Sequence, residues 1–320
     1  MAAFAAPPEG KGGGKGGGGG DSGGNPPPET FVPAIAYFEE GRKSKDLKLA
    51  NRSGDVACLV ASTPTGSPKL RGFAYDAANK HLAYSVSETA IYVVGWDLDP
   101  CDVGTPIHTI PLSSGNHIET MDFSPNGNLL VWREEDYDYA GPATAGIIHI
   151  YDLGTRSVRE LPLRGWAAGE PRFSPDFARS NEVIFVGGGA DGSLGTYASL
   201  YAYKIDSGVS PGTNPRKLLD GAPYNFDHIY SVSNQGGIGD PSVVLGNHLT
   251  GELLKVSIDT GSVAAIADGN EPAYSCDNSE LIYRYGTGGR RSEVRITSAD
   301  GSSTEVWSKA DLRFFDWFCP

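Results

Sequence analysis

Short apolar runs and polar turns alternate along the whole chain, and no window sustains the three-to-four-residue periodicity of a long amphipathic helix. The stretch MDFSPNGNLLVW, residues 121–132, shows the unit plainly: an apolar strand ending in an aromatic, the turn Ser-Pro-Asn-Gly, then a second apolar strand. The same design returns as FAYDAANKHLAY (73–84), FSPDFARSNEVIF (173–185), YSCDNSELIY (274–283) and, more weakly, YSVSNQGGIGDPSVVL (230–245). Its anchor aromatics Tyr75, Phe123, Phe173, Tyr230 and Tyr274 are spaced 48, 50, 57 and 44 residues apart. A period of that size marks a propeller or an array of repeats.

A second marker recurs in phase with the first, where each unit passes from its third strand to its fourth. The turns are NRSGD (51–55), DLGTRS (152–157), DSG (206–208), DTGS (259–262) and ADGSS (299–303). Asp or Asn followed by Gly suits a tight hairpin, because the short polar side chain bonds the local backbone and glycine accepts positive φ.

The two ends of the pattern are complementary. Residues 33–60 supply second, third and fourth strands but no first strand, and the chain ends in Phe-Cys-Pro where the repeat has Phe-Ser-Pro, with Phe318 lying 44 residues after Tyr274. Pairing of this last strand with the N-terminal unit closes a ring and removes the open sheet edges of a linear array. The expected fold is all-β, a six-bladed β-propeller of four-stranded blades over residues 31–320, and a monomer. Residues 1–30, rich in glycine and proline, are expected to be a disordered tether.

These motifs resemble the TolB-like β-propeller repeat family, whose blades carry a strand ending in Phe/Trp-Ser-Pro-Asp-Gly followed by an apolar strand. The resemblance covers essentially residues 31–320. It is good at residues 123–127 and 173–176, fair at 274–278, and degenerate around Tyr75 and Tyr230. It implies envelope partners, although the N-terminal two-domain arrangement of TolB has no counterpart in this sequence. Similar propellers precede the hydrolase domain of dipeptidyl-peptidase-like and prolyl-oligopeptidase-like enzymes; no such catalytic half is expected here.

Composition narrows the partners. With 39 acidic against 26 basic residues the formal net charge is −13, so a nonspecific phosphate-binding surface would work against the field of the whole protein, and nucleic acid is not expected. No apolar run is long enough to cross a membrane as a helix. The four cysteines, Cys58, Cys101, Cys276 and Cys319, contain no Cys-x-x-Cys pair and leave open both buried free thiols and three disulfide connectivities. Residues 2–6, AAFAA, have the small-residue character of a secretory cleavage site, so the chain is expected to be periplasmic or secreted, its export signal replaced by an initiator Met.

Candidate chemistry gathers on two sites. In a propeller the first strand of each blade lines the central channel. Three residues before the anchors stand Thr120, Glu170, Asp227 and Glu271, with His117, Glu119 and His228 beside them. Converging carboxylates and imidazoles at such a channel mouth suit a basic side chain or a divalent cation. The competing reading is that they bond backbone amides at strand starts. No resident cofactor is expected, and no ligand spacing within one segment favours a metal.

The second site is the face carrying the loops between second and third strands, with the insertions 133–146, 187–198 and 286–291. Glu135, Asp136, Tyr137, Asp138 and Tyr139, with Trp166, Tyr224 and Phe226, form an acidic and aromatic set suited to a protein partner. No Gly-x-Ser-x-Gly nucleophile elbow at a strand-to-helix turn, no His-Glu-x-x-His helix and no phosphate loop is expected. The leading expectation is therefore a non-enzymatic exported propeller that binds a protein or peptide. The alternatives are a metal-assisted lyase or hydrolase acting on carbohydrate or peptide through the channel-mouth residues, and an accessory subunit of a partner enzyme.

Overall fold

In the computed structural model the two ends of the folded chain meet in one sheet. Strand β25 (Leu312–Trp317) pairs antiparallel with β1 (Ile35–Glu40), which continues to β2 (Ser44–Ala50) and β3 (Val56–Pro64). This is the expected closure. The structure describes residues 34–54, 56–64, 70–76, 79–86, 89–96, 103–112, 116–118, 120–136, 147–161, 163, 168–174, 181–187, 199–205, 215–222, 224, 226–233, 240–247, 250–286, 292–308 and 312–317. The chain divides into Met1–Phe31 and a compact unit, Val32–Pro320. The expected tether and the sequence resembling a cleavage site lie outside the described residues.

Five further sheets complete the ring. Blade two holds β4 (Leu70–Asp76), β5 (His81–Val86), β6 (Ala90–Trp96) and β7 (Val103–Pro111). Blade three holds β8 (Asn116–His117), β9 (Met121–Phe123), β10 (Leu129–Asp136), β11 (Ile147–Asp152) and β12 (Ser157–Glu160), its inner strand being broken into β8 and β9. Blade four runs β13 (Ala168–Phe173), β14 (Glu182–Gly187), β15 (Ser199–Lys204), β16 (Arg216–Leu219). Blade five runs β17 (Phe226–Val232), β18 (Ser242–Asn247), β19 (Glu252–Ser257), β20 (Val263–Asp268). Blade six runs β21 (Asn270–Tyr274), β22 (Glu280–Tyr285), β23 (Glu293–Ser298), β24 (Thr304–Ser308). All pairings are antiparallel, and the described residues contain no helix.

The repeated turns share one local geometry. At Ser124-Pro-Asn-Gly-Asn, the Ser124 hydroxyl donates to Asn126 Oδ1 at 2.9 Å and accepts from the Leu129 amide at 2.9 Å, while Asn126 Oδ1 accepts from Asn128 N at 3.1 Å. The same three bonds recur around Ser275, Asp277 and Ser279, and again around Ser298, Asp300 and Ser302 in a third-to-fourth turn. The residue after the Asn or Asp takes positive φ at Gly127 (67°), Asn278 (61°) and Gly301 (73°). Both sequence markers are thus one short-range device, an Asx-type turn whose polar side chain stands in for a backbone partner.

Strand register shows which residues occupy the anchor position. Phe123 lies opposite Leu130, Tyr75 opposite Leu82, Phe173 opposite Val183 and Tyr274 opposite Leu281. In blade five the equivalent residue is Val232, opposite Val243, and in blade one it is Trp317, opposite Ile35. These correct Tyr230 and Phe318. In blade five two register shifts in β17 move the pairing, and an irregular strand cannot be phased from its aromatic alone.

Two residues beyond each of these second-strand partners the chain carries Tyr37, Tyr84, Trp132, Phe185, Leu245 and Tyr283, aromatic in five of six blades. Trp132 stacks on its cross-strand partner His149 and Phe185 on Tyr201. Four of these rings, Tyr37, Trp132, Phe185 and Tyr283, pack against the preceding blade. Trp132 joins Ala83, Ile91 and Val93 of blade two, and Tyr37 meets Trp307 of blade six edge-on at 6.0 Å. Most of the core therefore lies between blades, and each buried aromatic contributes about 2–3 kcal/mol of transfer energy.

Candidate functional site

The inner strands β4, β9, β13, β17, β21 and β25 follow one another around the axis, each of the first five in contact with the next. One residue before the anchor, three of them present charge: Asp122 in blade three, Arg172 in blade four and Asp316 in blade one. Asp122 Oδ2 accepts the Phe173 amide of the next blade at 2.7 Å, and Arg172 Nη1 donates to the Met121 carbonyl of the preceding blade at 2.7 Å. Blades three and four are thereby bonded in both directions. Ser231 of blade five does the same for blade six, accepting the Tyr274 amide at 3.2 Å.

The charged side chains influence one another electrostatically. Burial pushes the Asp122 carboxyl up to about 6, against the pull of Arg172 and the Phe173 and Phe123 amides. Burial pushes Asp316 up to about 7, opposed by Arg172 and reinforced by the neighbouring charge of Asp122. Both carboxyls keep some surface along the axis, yet the surrounding strands strip most of their hydration. Blades one and four stand opposite each other in a six-membered ring, so the influence of Arg172 on Asp316 spans the axis.

The expected mouth residues are placed unevenly. Thr120 and Glu271 stand three residues before their register anchors; both are half-buried, and Thr120 Oγ1 has no hydrogen-bond partner among the described residues. Glu271 has φ of 53° and lies where β21 shifts register between Asn270 and Ala273. Similar shifts occur in β4, β13, β17 and β25. Such bulges re-aim side chains, so strict two-residue alternation does not give their direction.

Glu170, Asp227, His228 and His117 have their backbones in β13, β17, β17 and β8, with side chains outside the described residues, as is Glu119 entirely. Asp227 is not at the equivalent position: three residues before Val232 comes Ile229, which is fully buried in the core.

On the loop face three residues need correction. Glu135 and Asp136 continue β10 instead of opening the insertion, and Glu135 pairs with His117 while Asp136 pairs with Asn116. The backbone thus joins a mouth residue to a loop-face residue. Phe226 is 2% exposed and belongs to the core between blades four and five, so it supports Tyr224 instead of meeting a partner. The half-buried Tyr224 stacks on it at 5.5 Å and 13°. Tyr137, Asp138, Tyr139 and Trp166 lie outside the described residues.

Sequence reasoning missed Tyr285 on this face. It is 37% exposed at the end of β22, and the Arg295 guanidinium lies over its ring at 3.4 Å while pairing with Glu293 at 2.9 Å. It also missed Asp122, Arg172 and Asp316. Their signal was a polar residue inside an apolar strand, directly before the anchor aromatic, in MDF, PRF and FDW.

No protein-family model matches the sequence, and no curated protein matches it. Among solved structures, TolB from Acinetobacter baumannii is similar over 91% of this chain and 67% of its own, with a TM-score of 0.63 at 20% identity. The fold is a TolB-like six-bladed β-propeller. A putative TolB from Agrobacterium tumefaciens matches this TolB-like propeller over 91% of the chain and 99% of its own (TM-score 0.54, 17% identity). The nidogen/laminin complex contains a chain matched over 89% of this one and 98% of its own (TM-score 0.58, 14% identity). At these identities the likeness is one of fold.

Proposed function

We propose that this propeller is an exported, non-enzymatic module that binds a protein or peptide through its loop face and channel mouth. The observation that carries the reading is the Tyr285–Arg295 pair, an exposed ring at the end of β22 capped by a guanidinium. Tyr224 adds a second rigid ring on the same face. Stacked, pre-ordered aromatic and arginine side chains lose little entropy on binding and are favoured at hot spots. That one fold neighbour comes from a nidogen/laminin complex is consistent with this use.

Export is supported by the cysteines. Cys58 and Cys276, the two described, are both disulfide-bonded, which sets aside the free-thiol reading for them and suits a periplasmic or secreted protein. The test is affinity capture from envelope and secreted fractions. Wild type would be compared with Tyr224→Ala/Tyr285→Ala and with Glu170→Ala/Asp227→Ala/Glu271→Ala, all checked for unchanged unfolding temperature. A protein held by wild type and lost by the aromatic variant supports the reading. Equal retention by all three chains, or none by any, removes it.

A further inference from the structure

Cys58 and Cys276 are both disulfide-bonded, and strand register shows which way Cys58 points. Ala36, Leu49 and Cys58 lie directly opposite one another across β1, β2 and β3, so their side chains share one face of blade one. Phe38, two residues along that face, meets Phe73 of blade two edge-on at 5.2 Å. Cys58 is 1% exposed, whereas Leu59, turned the other way, is 54% exposed. The Cys58 sulfur therefore lies at the seam with blade two. Cys276 belongs to blade six, which packs on the far side of blade one through Trp307 and Tyr37, so these two cysteines are not partners.

The repeat supplies the partners. Ala50 and Thr297 each lie two strands out from their anchors, Trp317 and Tyr274. Cys58, opposite Leu49, is thus the counterpart of Glu305, opposite Ile296. Glu305 reaches Arg52, in the third-to-fourth turn of the following blade, at 2.6 Å. The same turn of blade two spans residues 97–102, between the paired Trp96 and Val103, and its sequence contains Cys101. Cys319 follows Trp317 in the first strand, three strand spacings or about 14 Å from β3, twice what a disulfide spans. It stands two residues after its anchor, as Cys276 stands after Tyr274. Turns at that level meet across a seam: Asn79, four residues past Tyr75, donates to the carbonyl of Asn126, three past Phe123, at 3.1 Å.

We propose that Cys58 is bonded to Cys101 and Cys276 to Cys319, one clasp on each side of blade one. Cys101 and Cys319 lie outside the described residues. Each pair is 43 positions apart, close to one repeat. Blade one is assembled from both ends of the folded chain, where β25 is held to β1 by backbone pairing, and the clasps make that closure covalent. The inference does not rest on the proposed peptide binding.

Trypsin places the four cysteines of the full chain on four separate peptides. Mass spectrometry of the alkylated, unreduced digest should find Cys58 linked to Cys101 and Cys276 linked to Cys319. Cys58 linked to Cys276 or Cys319, a free thiol, or a link between two chains would overturn the assignment. Hydrogen exchange tests the clasp. Cys276→Ser/Cys319→Ser should speed exchange of the β25 amides at least about tenfold relative to those of β18 in blade five, while Cys58→Ser/Cys101→Ser should speed β3 instead. Reduction of wild type opens both bonds, should speed both strands, and gives the reading if a variant misfolds. Unchanged exchange in β25 would remove the clasp.

Discussion

The indole nitrogen of Trp307 donates a 3.0 Å hydrogen bond to the backbone carbonyl of Arg52, tying the outer strand of blade six to a turn of blade one. The Arg52 guanidinium completes the seam through Glu280 at 3.1 Å and Glu305 at 2.6 Å. These exposed ion pairs contribute little, whereas the indole bond is partly shielded. Trp307→Phe keeps a ring beside Tyr37 and removes the donor; denaturant unfolding should show a loss of about 1 kcal/mol with an unchanged slope. Arg52→Ala, which keeps that carbonyl, should cost less.

Stability should peak in mild acid. Asp122 and Asp316 have folded-state pKa values raised to about 6 and about 7, so the folded chain holds protons that the unfolded chain releases from about pH 4. Stability therefore falls as pH rises from about 4 to about 7. Asp277 and Asp300 act oppositely: Ser279 and Ser298 hydroxyls, with nearby amides, hold them at about 2, so their stabilisation is present above about pH 4 and lost toward pH 2. Asp122→Asn/Asp316→Asn should flatten the neutral limb and stabilise the protein at pH 8 by on the order of 2 kcal/mol. A wild-type profile that rises from pH 5 to 8 would contradict the assignment.

Gly301 separates conformational strain from crowding. Its φ is +73°, and an added Cβ would stand 2.7 Å from the Ile266 carbonyl oxygen, a backbone atom of blade five. Gly261, in the corresponding turn of blade five, has φ of +67° and nothing within 4 Å of the same position. Gly261→Ala should cost about 1 kcal/mol, the left-handed conformation alone. Gly301→Ala should cost about 2–3 kcal/mol, with the excess coming from displacement between blades. Paired denaturation curves give that difference directly.

Disulfide bonding at Cys58 and Cys276 is open to chemistry. Alkylation of the unfolded, unreduced protein should leave both residues unlabelled by mass spectrometry. Reduction should lower stability by about 2–5 kcal/mol. Labelling at either position before reduction would refute the bonding.

Much of the architecture was legible locally because its turns are local. Ser124, Asn126 and Gly127 close their hairpin with bonds that span no more than five residues, and the same device at Asp300-Gly301 repeats the phase. Ring closure was legible too, since a unit lacking its first strand and a surplus strand at the other end have one economical solution. The phase of blade five was not, because the shifts in β17 break the two-residue period that lets a sequence be read as a face.

The site divides along the same line. Sequence alone set the strand order and marked Thr120 and Glu271 as equivalent positions, because spacing from an anchor aromatic survives folding when the register is regular. Only the tertiary structure brought Asp122, Arg172 and Asp316 to one level of the axis, placed His117 opposite Glu135, and sank Phe226 into the core. Asp122 and Asp316 are 194 positions apart in the chain. Their mutual charge and shared desolvation arise from ring geometry, which has no trace in either strand by itself.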